Sequence, residues 1–144
     1  MFRSIIVATD GTEASEHAIT MAAQLAVKHA ATLTAVTVVE PYPYSAVGES
    51  SAIAGADHQA SVGAQASARL ARARELAEAA GSECRTSMQE AGEVYRGVLL
   101  AAEQHQADLI VMGSRGRSSM AARLLGSETQ RLLAHSALPV LVVQ

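Results

Sequence analysis

Short apolar segments alternate along the chain with longer segments in which apolar residues recur at helical spacing. The short segments predict five strands, near residues 5–8, 33–39, 83–89, 109–112 and 138–143. The first and fourth are continuous apolar runs, which are typical of strands covered on both faces. The third is weaker, with Cys84, Thr86 and Met88 on one face and polar residues on the other. We therefore expect the third strand to lie at an edge of the sheet.

Four helices are predicted between these strands. The first follows a turn at Thr9–Thr12 and extends to about Ala31, with Thr12 or a neighbour as its cap. After the second strand, a Ser-, Gly- and Ala-rich loop is expected from Tyr42 to about Ala56. The other helices are expected near residues 57–80, 93–106 and 127–136.

This alternation predicts an α/β protein with an open five-stranded parallel sheet and helices on both faces, a Rossmann-like arrangement. The apolar first and fourth strands favour the order 3-2-1-4-5 over the flavodoxin-like order 2-1-3-4-5. Ligands of such folds bind beyond the carboxyl ends of the strands, where the winding direction changes. In the favoured order, the turn at Thr9–Gly11 and the loop after Met112 meet at that point.

Length and charge narrow the possible classes. A chain of 144 residues suits a single domain, here residues 1–144. Its net charge is −3 and its only lysine is Lys28, which disfavours a nucleic-acid partner or a membrane surface. The only cysteine, Cys84, rules out an internal disulfide framework. We expect a cytoplasmic protein, because no targeting signal or membrane-spanning run is visible.

The segment Gly113–Thr129 carries glycines and hydroxyl side chains between a strand and a helix. Such a segment can present backbone N–H groups to an anion, or its glycines can serve turn geometry alone. Ser127 and Gln130 have the spacing of a capping box, and a phosphate would occupy the same place as that cap. Arg115 is either a phosphate contact or a solvated surface residue. The residues leave these alternatives open.

Asp10 ends the first strand and faces the glycine-rich loop in the predicted sheet. It is a candidate for binding a ribose hydroxyl or a nucleotide-bound Mg²⁺; the alternative is an aspartate that bonds only its own turn. The sequence lacks a P-loop, a dinucleotide-binding glycine motif and the common hydrolase motifs. No catalytic residue is therefore predicted.

A family resemblance follows from several motifs in register. Gly113-x2-Gly116-x9-Gly126-Ser127 resembles the nucleotide-binding signature of universal stress proteins of the ATP-binding type. The resemblance extends over essentially the whole chain, through Ile5–Asp10, Val38–Pro41, Ala107–Gly113 and Pro139–Val143. It implies an adenine nucleotide alpha hydrolase-like fold and a stress-response regulatory protein that binds ATP or another adenine nucleotide, with or without Mg²⁺.

The resemblance also assigns roles to individual residues. It implies that Asp10 lies on the ribose and metal side, that the backbone of Val38 holds the adenine, and that the glycine loop surrounds ribose and phosphates. Glu128 departs from the family pattern, which often has an apolar residue there. The expected nucleotide-binding residues are Ala8, Thr9, Asp10, Val38, Met112, Gly113, Arg115, Gly116, Gly126, Ser127, Glu128 and Thr129.

The last strand, Val140–Val143, is predicted to be an uncharged apolar edge, and such an edge tends to associate. The resemblance likewise implies a homodimer through this strand, and we expect antiparallel pairing of Val140, Leu141, Val142 and Val143 across a two-fold axis. A further protein partner would read the nucleotide state. The alternatives are an interaction protein of the same fold that binds no nucleotide and, less favoured, a hydrolytic or adenylyl-transferring enzyme.

Overall fold

The structure is a computed structural model. It describes the backbone of residues 1–41, 49–115 and 125–144, and side chains over the same ranges except residues 49–54. Within these ranges no helix is long and apolar enough to cross a membrane.

Five parallel strands form one sheet in the order β3-β2-β1-β4-β5, as predicted. The central pair, β1 and β4, is almost fully buried, because helices cover both of its faces. Ile6 pairs with Ile110 across this pair. The strands are β1 Ser4–Ala8, β2 Thr32–Val39, β3 Arg85–Glu90, β4 Leu109–Gly113 and β5 Val140–Val143.

The helices connect successive strands and lie on both faces of the sheet. They are α1 Glu13–His29, α2 Glu49–Ala79, α3 Val94–Gln104 and α4 Ser127–His135. The predicted start of α2 near residue 57 was wrong, since the helix includes residues 49–56 of the expected loop. Alanines at positions 52, 54 and 56 explain the earlier start, because alanine is the strongest helix former. Residues 42–48 of that loop lie outside the described residues.

Two apolar cores flank the sheet. One lies under α1 and α2 and uses alternate residues of the central strands, including Ile5 and Val111. The other lies under α3 and α4 and includes Ile6, Ile110 and Leu132. Because the side chains of a strand alternate between faces, the continuous apolar runs supply both cores at once.

The edge position of β3 is confirmed, but its predicted apolar face is only partly correct. Cys84, just before β3, is buried, and this burial raises the pKa of its thiol. Met88 is 43% exposed, whereas Gln89 is buried. The Gln89 amide nitrogen donates to Ser87 Oγ at 3.0 Å and to Gln104 Oε1 at 2.8 Å. These hydrogen bonds offset the cost of burying the amide, so a polar residue can occupy the covered face.

Gly97 allows α3 to lie directly on β2. A Cβ atom at this position would stand 2.6 Å from both Cγ atoms of Val38. No real Cβ contact is that short, so any side chain at Gly97 would push α3 away from the strand. Val38 is also the residue whose backbone the family resemblance assigns to the adenine.

We predict that Gly97→Ala destabilises the fold by roughly 1–3 kcal/mol through overpacking against Val38. Gly63→Ala is the matched control, since Gly63 is also helical but a Cβ there would meet no atom within 4 Å. The free energy of unfolding of the control should rise by up to about 1 kcal/mol, because alanine is more favourable in helices than glycine. Urea unfolding of both variants measures the difference. Equal shifts in the two variants would contradict the close-approach explanation.

Candidate functional site

A cleft of about 1210 Å³ opens at the carboxyl ends of the central strands. Its floor is apolar and comprises Ala8 of β1, Val36 and Val38 of β2, and Met112 of β4. Parts of α2, α3 and α4 form its walls. The cleft therefore lies at the change of winding direction between β1 and β4, where the sequence predicted a ligand site.

The predicted site residues that the structure describes all line this cleft. Gly116, the remaining one, lies outside the described residues. The fold thus brings together two loops that are more than a hundred residues apart in the sequence. The predicted residues at the cleft are Ala8, Thr9, Asp10, Val38, Met112, Gly113, Arg115, Gly126, Ser127, Glu128 and Thr129.

Asp10 belongs to the turn between β1 and α1. Its Oδ1 accepts hydrogen bonds from the backbone N–H of Thr12 at 3.0 Å and from the Thr12 hydroxyl at 2.6 Å. The same hydroxyl oxygen caps α1 by accepting from Ser15 N–H at 3.3 Å. The Asp10 carboxylate therefore does bond its own turn, as one alternative predicted. It uses a single oxygen for both bonds and still lines the cleft.

The backbone of Thr9 is fixed on both sides, which positions Asp10. Thr9 N–H donates to Val36 O at 2.9 Å, and Thr37 Oγ1 donates to Thr9 O at 3.0 Å. Gly11 follows with φ of +82°, a conformation that side chains rarely adopt. The two bonds of Thr9 tie the start of the turn to β2.

Gly113 ends β4 beneath the first turn of α1. A Cβ atom there would lie 3.0 Å from the carbonyl carbon of Ala14, so the glycine permits a close approach of two backbones. Thr129 Oγ1 donates to Gly113 O at 3.0 Å, and Gly126 N–H donates to Ser114 O at 2.8 Å. These bonds join the end of β4 to the start of α4. The glycine thus has a packing role beyond turn geometry.

The capping box at the start of α4 is not formed. Gly126 is the N-cap residue and offers no side chain, while Ser127 lies inside the first turn. The Gln130 amide donates to Leu125 O at 2.7 Å instead of accepting from the backbone. Because α4 begins one residue away from the predicted register, the serine hydroxyl misses the cap position. The first turn of α4 therefore faces the cleft without a side-chain cap among the described residues.

Glu128 turns towards α3. Its Oε2 accepts from Tyr95 N–H at 3.0 Å, and its Oε1 lies 3.2 Å from Arg131 Nη1. The N-cap residue of α3, Glu93, makes no side-chain cap bond, so a carboxylate from α4 takes that place. Glu128 thereby links two walls of the cleft.

Arg131 bridges two carboxylates at this wall. Its Nη1 also lies 3.6 Å from Glu93 Oε1, and Glu93 in turn pairs with Arg96 at 2.8 Å. Desolvation raises the pKa of Glu93, but hydrogen bonds with Arg96 and Tyr95 outweigh it and hold that pKa below its ordinary value. Glu93 thus stays ionised at neutral pH, and Arg131 remains shared.

The sequence reading missed the contribution of α2 to the cleft. His58, Val62, Gln65 and Arg69 line it, and their spacing places them along one face of the helix. All four residues lie within the helix predicted near residues 57–80, but the sequence does not show which face of that helix turns towards the cleft. Arg131 and His135 of α4 were also missed, and His135 stacks on Tyr95 with ring centroids 4.7 Å apart.

Metal binding by the protein alone finds little support in the described ranges. No group of three or more His, Cys, Asp or Glu residues there could hold an ion.

The chain resembles known proteins in family, sequence and structure. The family model described as "Universal stress protein family" matches residues 1–144. A universal stress protein of Thermus aquaticus is 32% identical over 148 residues, which cover 100% of each chain. A universal stress protein crystallised in complex with cAMP is 27% identical, with a TM-score of 0.75 over 99% of this chain and 97% of that one. A complex of an Archaeoglobus fulgidus homologue with dAMP shares the fold at 19% identity and a TM-score of 0.71, covering 99% and 98% of the two chains.

We predict that Glu128→Ala lowers the free energy of unfolding by about 1–2 kcal/mol, because the first turn of α3 loses its cap. Glu128→Gln should lower the free energy of unfolding by less, since the amide oxygen can still accept from Tyr95 N–H. Glu103→Ala, which removes an exposed carboxylate from α3, is the control. Urea unfolding measures the stabilities of the three variants. Equal stabilities of Glu128→Ala and Glu103→Ala would argue against the cap.

Proposed function

Because the chain belongs to the universal stress protein family, we propose that its cleft binds an adenine nucleotide, ATP or a relative of it. One observation carries the proposal. The cleft combines an apolar region between β2 and α3 with the start of α4, which has no side-chain cap. The cAMP complex of a 27% identical protein supports the same ligand class.

The apolar region between β2 and α3 suits a flat ring. Val36 and Val38 of β2 and Val94 and Val98 of α3 line the cleft together. We assign the adenine to this region, with the backbone of Val38 as its hydrogen-bonding partner. The first turn of α4, residues 127–130, is the counterpart for phosphate, because backbone N–H groups at a helix start attract anions. Base and phosphate would thus bind to different elements of one cleft.

Asp10 is assigned to the ribose. Its Oδ1 is occupied by Thr12, and the described residues make no hydrogen bond to Oδ2. That oxygen can accept from a ribose hydroxyl. Asp10 also suits a magnesium ion that arrives with the nucleotide, since Mg²⁺ is commonly held by one or two carboxylates together with substrate phosphates.

The biological role that fits is regulation without catalysis. Nucleotide occupancy would change the loops around the cleft, and a partner protein would respond to that change. The alternative remains an interaction protein of the same fold without a nucleotide. Its support is that Thr129, Gly113 and Asp10 all have structural bonds of their own.

We further propose a homodimer through β5. Pro139 and Val143 direct their carbonyl groups to β4, accepting from Ile110 N–H at 3.0 Å and Ser114 N–H at 2.8 Å. Since backbone direction alternates along a strand, Val140 and Val142 direct theirs to the open edge. An apolar edge of this kind is suited to antiparallel pairing with a second copy.

Asp10→Asn is predicted to weaken AMP and ATP binding roughly tenfold to a hundredfold, the usual loss for a hydrogen bond to a charged group. The amide oxygen can keep the Thr12 bonds, while the amide nitrogen replaces the free acceptor with a donor. Asp57→Asn, an exposed change on α2 away from the cleft, is the matched control. Isothermal titration calorimetry measures both. Failure of the wild type to bind any adenine nucleotide would favour the interaction-protein alternative.

Val142→Pro is predicted to give a monomer. Proline removes an outward N–H donor but leaves the bonds to β4 at positions 139 and 143 intact. Sedimentation velocity at micromolar concentration should show a dimer for the wild type and a monomer for the variant, with unchanged circular dichroism. A wild-type monomer would remove the proposal.

A further inference from the structure

Glu128 holds a negative charge at the place where a phosphate would meet α4. It is the second residue of that helix and lines the cleft beside Ser127 and Thr129. Its side chain is 29% exposed. A nucleotide phosphate at the first turn would therefore lie close to a carboxylate.

The carboxylate cannot easily move out of the way. Both of its oxygens are engaged, one by Tyr95 N–H and the other by Arg131. Moving it would leave the start of α3 without its cap and Arg131 without its closer partner. We therefore expect this charge to stay in place when a ligand enters.

Among the described residues, the positively charged side chains of the cleft do not balance the negative charge of a triphosphate chain. Arg131 is shared between Glu128 and Glu93, at 3.2 and 3.6 Å. Among the described residues that line the cleft, the three arginines Arg69, Arg115 and Arg131 are matched by three carboxylates, Asp10, Glu40 and Glu128. The first turn of α4 can compensate one phosphate, but each additional phosphate adds charge that this balance does not meet.

We propose that Glu128 makes the cleft selective for adenine nucleotides with one phosphoryl group over those with a triphosphate chain. The inference rests on the proposed nucleotide site and deepens it. ATP carries roughly two more negative charges than AMP near neutral pH, and like charges at close range repel. The carboxylate acts on both nucleotides but opposes the triphosphate more strongly.

The experiment compares AMP and ATP by isothermal titration calorimetry in wild type, Glu128→Gln and Glu103→Gln, without divalent cations. Glu128→Gln removes the charge while its amide oxygen can keep the Tyr95 bond. Glu103→Gln removes the same charge from an exposed position on α3 outside the cleft. The wild type should bind AMP about tenfold more tightly than ATP, and Glu128→Gln should reduce that ratio to about one. Glu103→Gln should leave it unchanged.

A second measurement does not depend on any variant. The proposed discrimination is electrostatic and the cleft is open to solvent. Raising the salt concentration to about 0.5 M should therefore reduce the ratio of AMP affinity to ATP affinity in the wild type. Wild-type ATP affinity equal to or above that for AMP would overturn the inference and leave the nucleotide site standing. An equal effect of Glu103→Gln would overturn it as well. Absence of binding by both nucleotides would instead remove the proposed function together with the inference.

Discussion

The burial of β1 and β4 on both faces is the constraint on which the rest of the structure depends. Two continuous apolar strands can be covered only at the centre of the sheet, so they lie side by side with helices on both sides. The chain must then wind in opposite directions from this pair. A cleft opens where it does so, at the carboxyl ends of the two strands.

Small residues set how closely the helices approach that cleft. Gly113 lets the backbone of α1 lie against the end of β4, and Gly97 lets α3 lie against Val38. The polar bonds then fix the distance between the walls: Thr129 ties α4 to β4, and Glu128 ties α4 to α3. These contacts therefore set the spacing of the elements that surround the cleft.

Glu128 shows how one residue can serve stability while limiting a ligand. In sequence it is an acidic residue that departs from the family pattern within a segment resembling a nucleotide-binding signature. In the structure it replaces the missing side-chain cap of α3 and holds Arg131. The proposed selectivity follows from this structural role, since the carboxylate that caps one helix is the charge that a phosphate at the other helix would meet.

Much of the architecture and part of the cleft lining could be predicted from the sequence. Apolar runs that are continuous in β1 and β4 but interrupted in β3 determined the strand order, and the glycine spacing with Asp10 located the cleft. The tertiary structure alone decided the direction of the Glu128 side chain, the register of the α4 cap and the contribution of α2. Each depends on a contact between segments distant in the chain. The local sequence pattern shows which residues are apolar and which can form turns. The hydrogen-bonding partner of a polar group is decided only when the elements pack together.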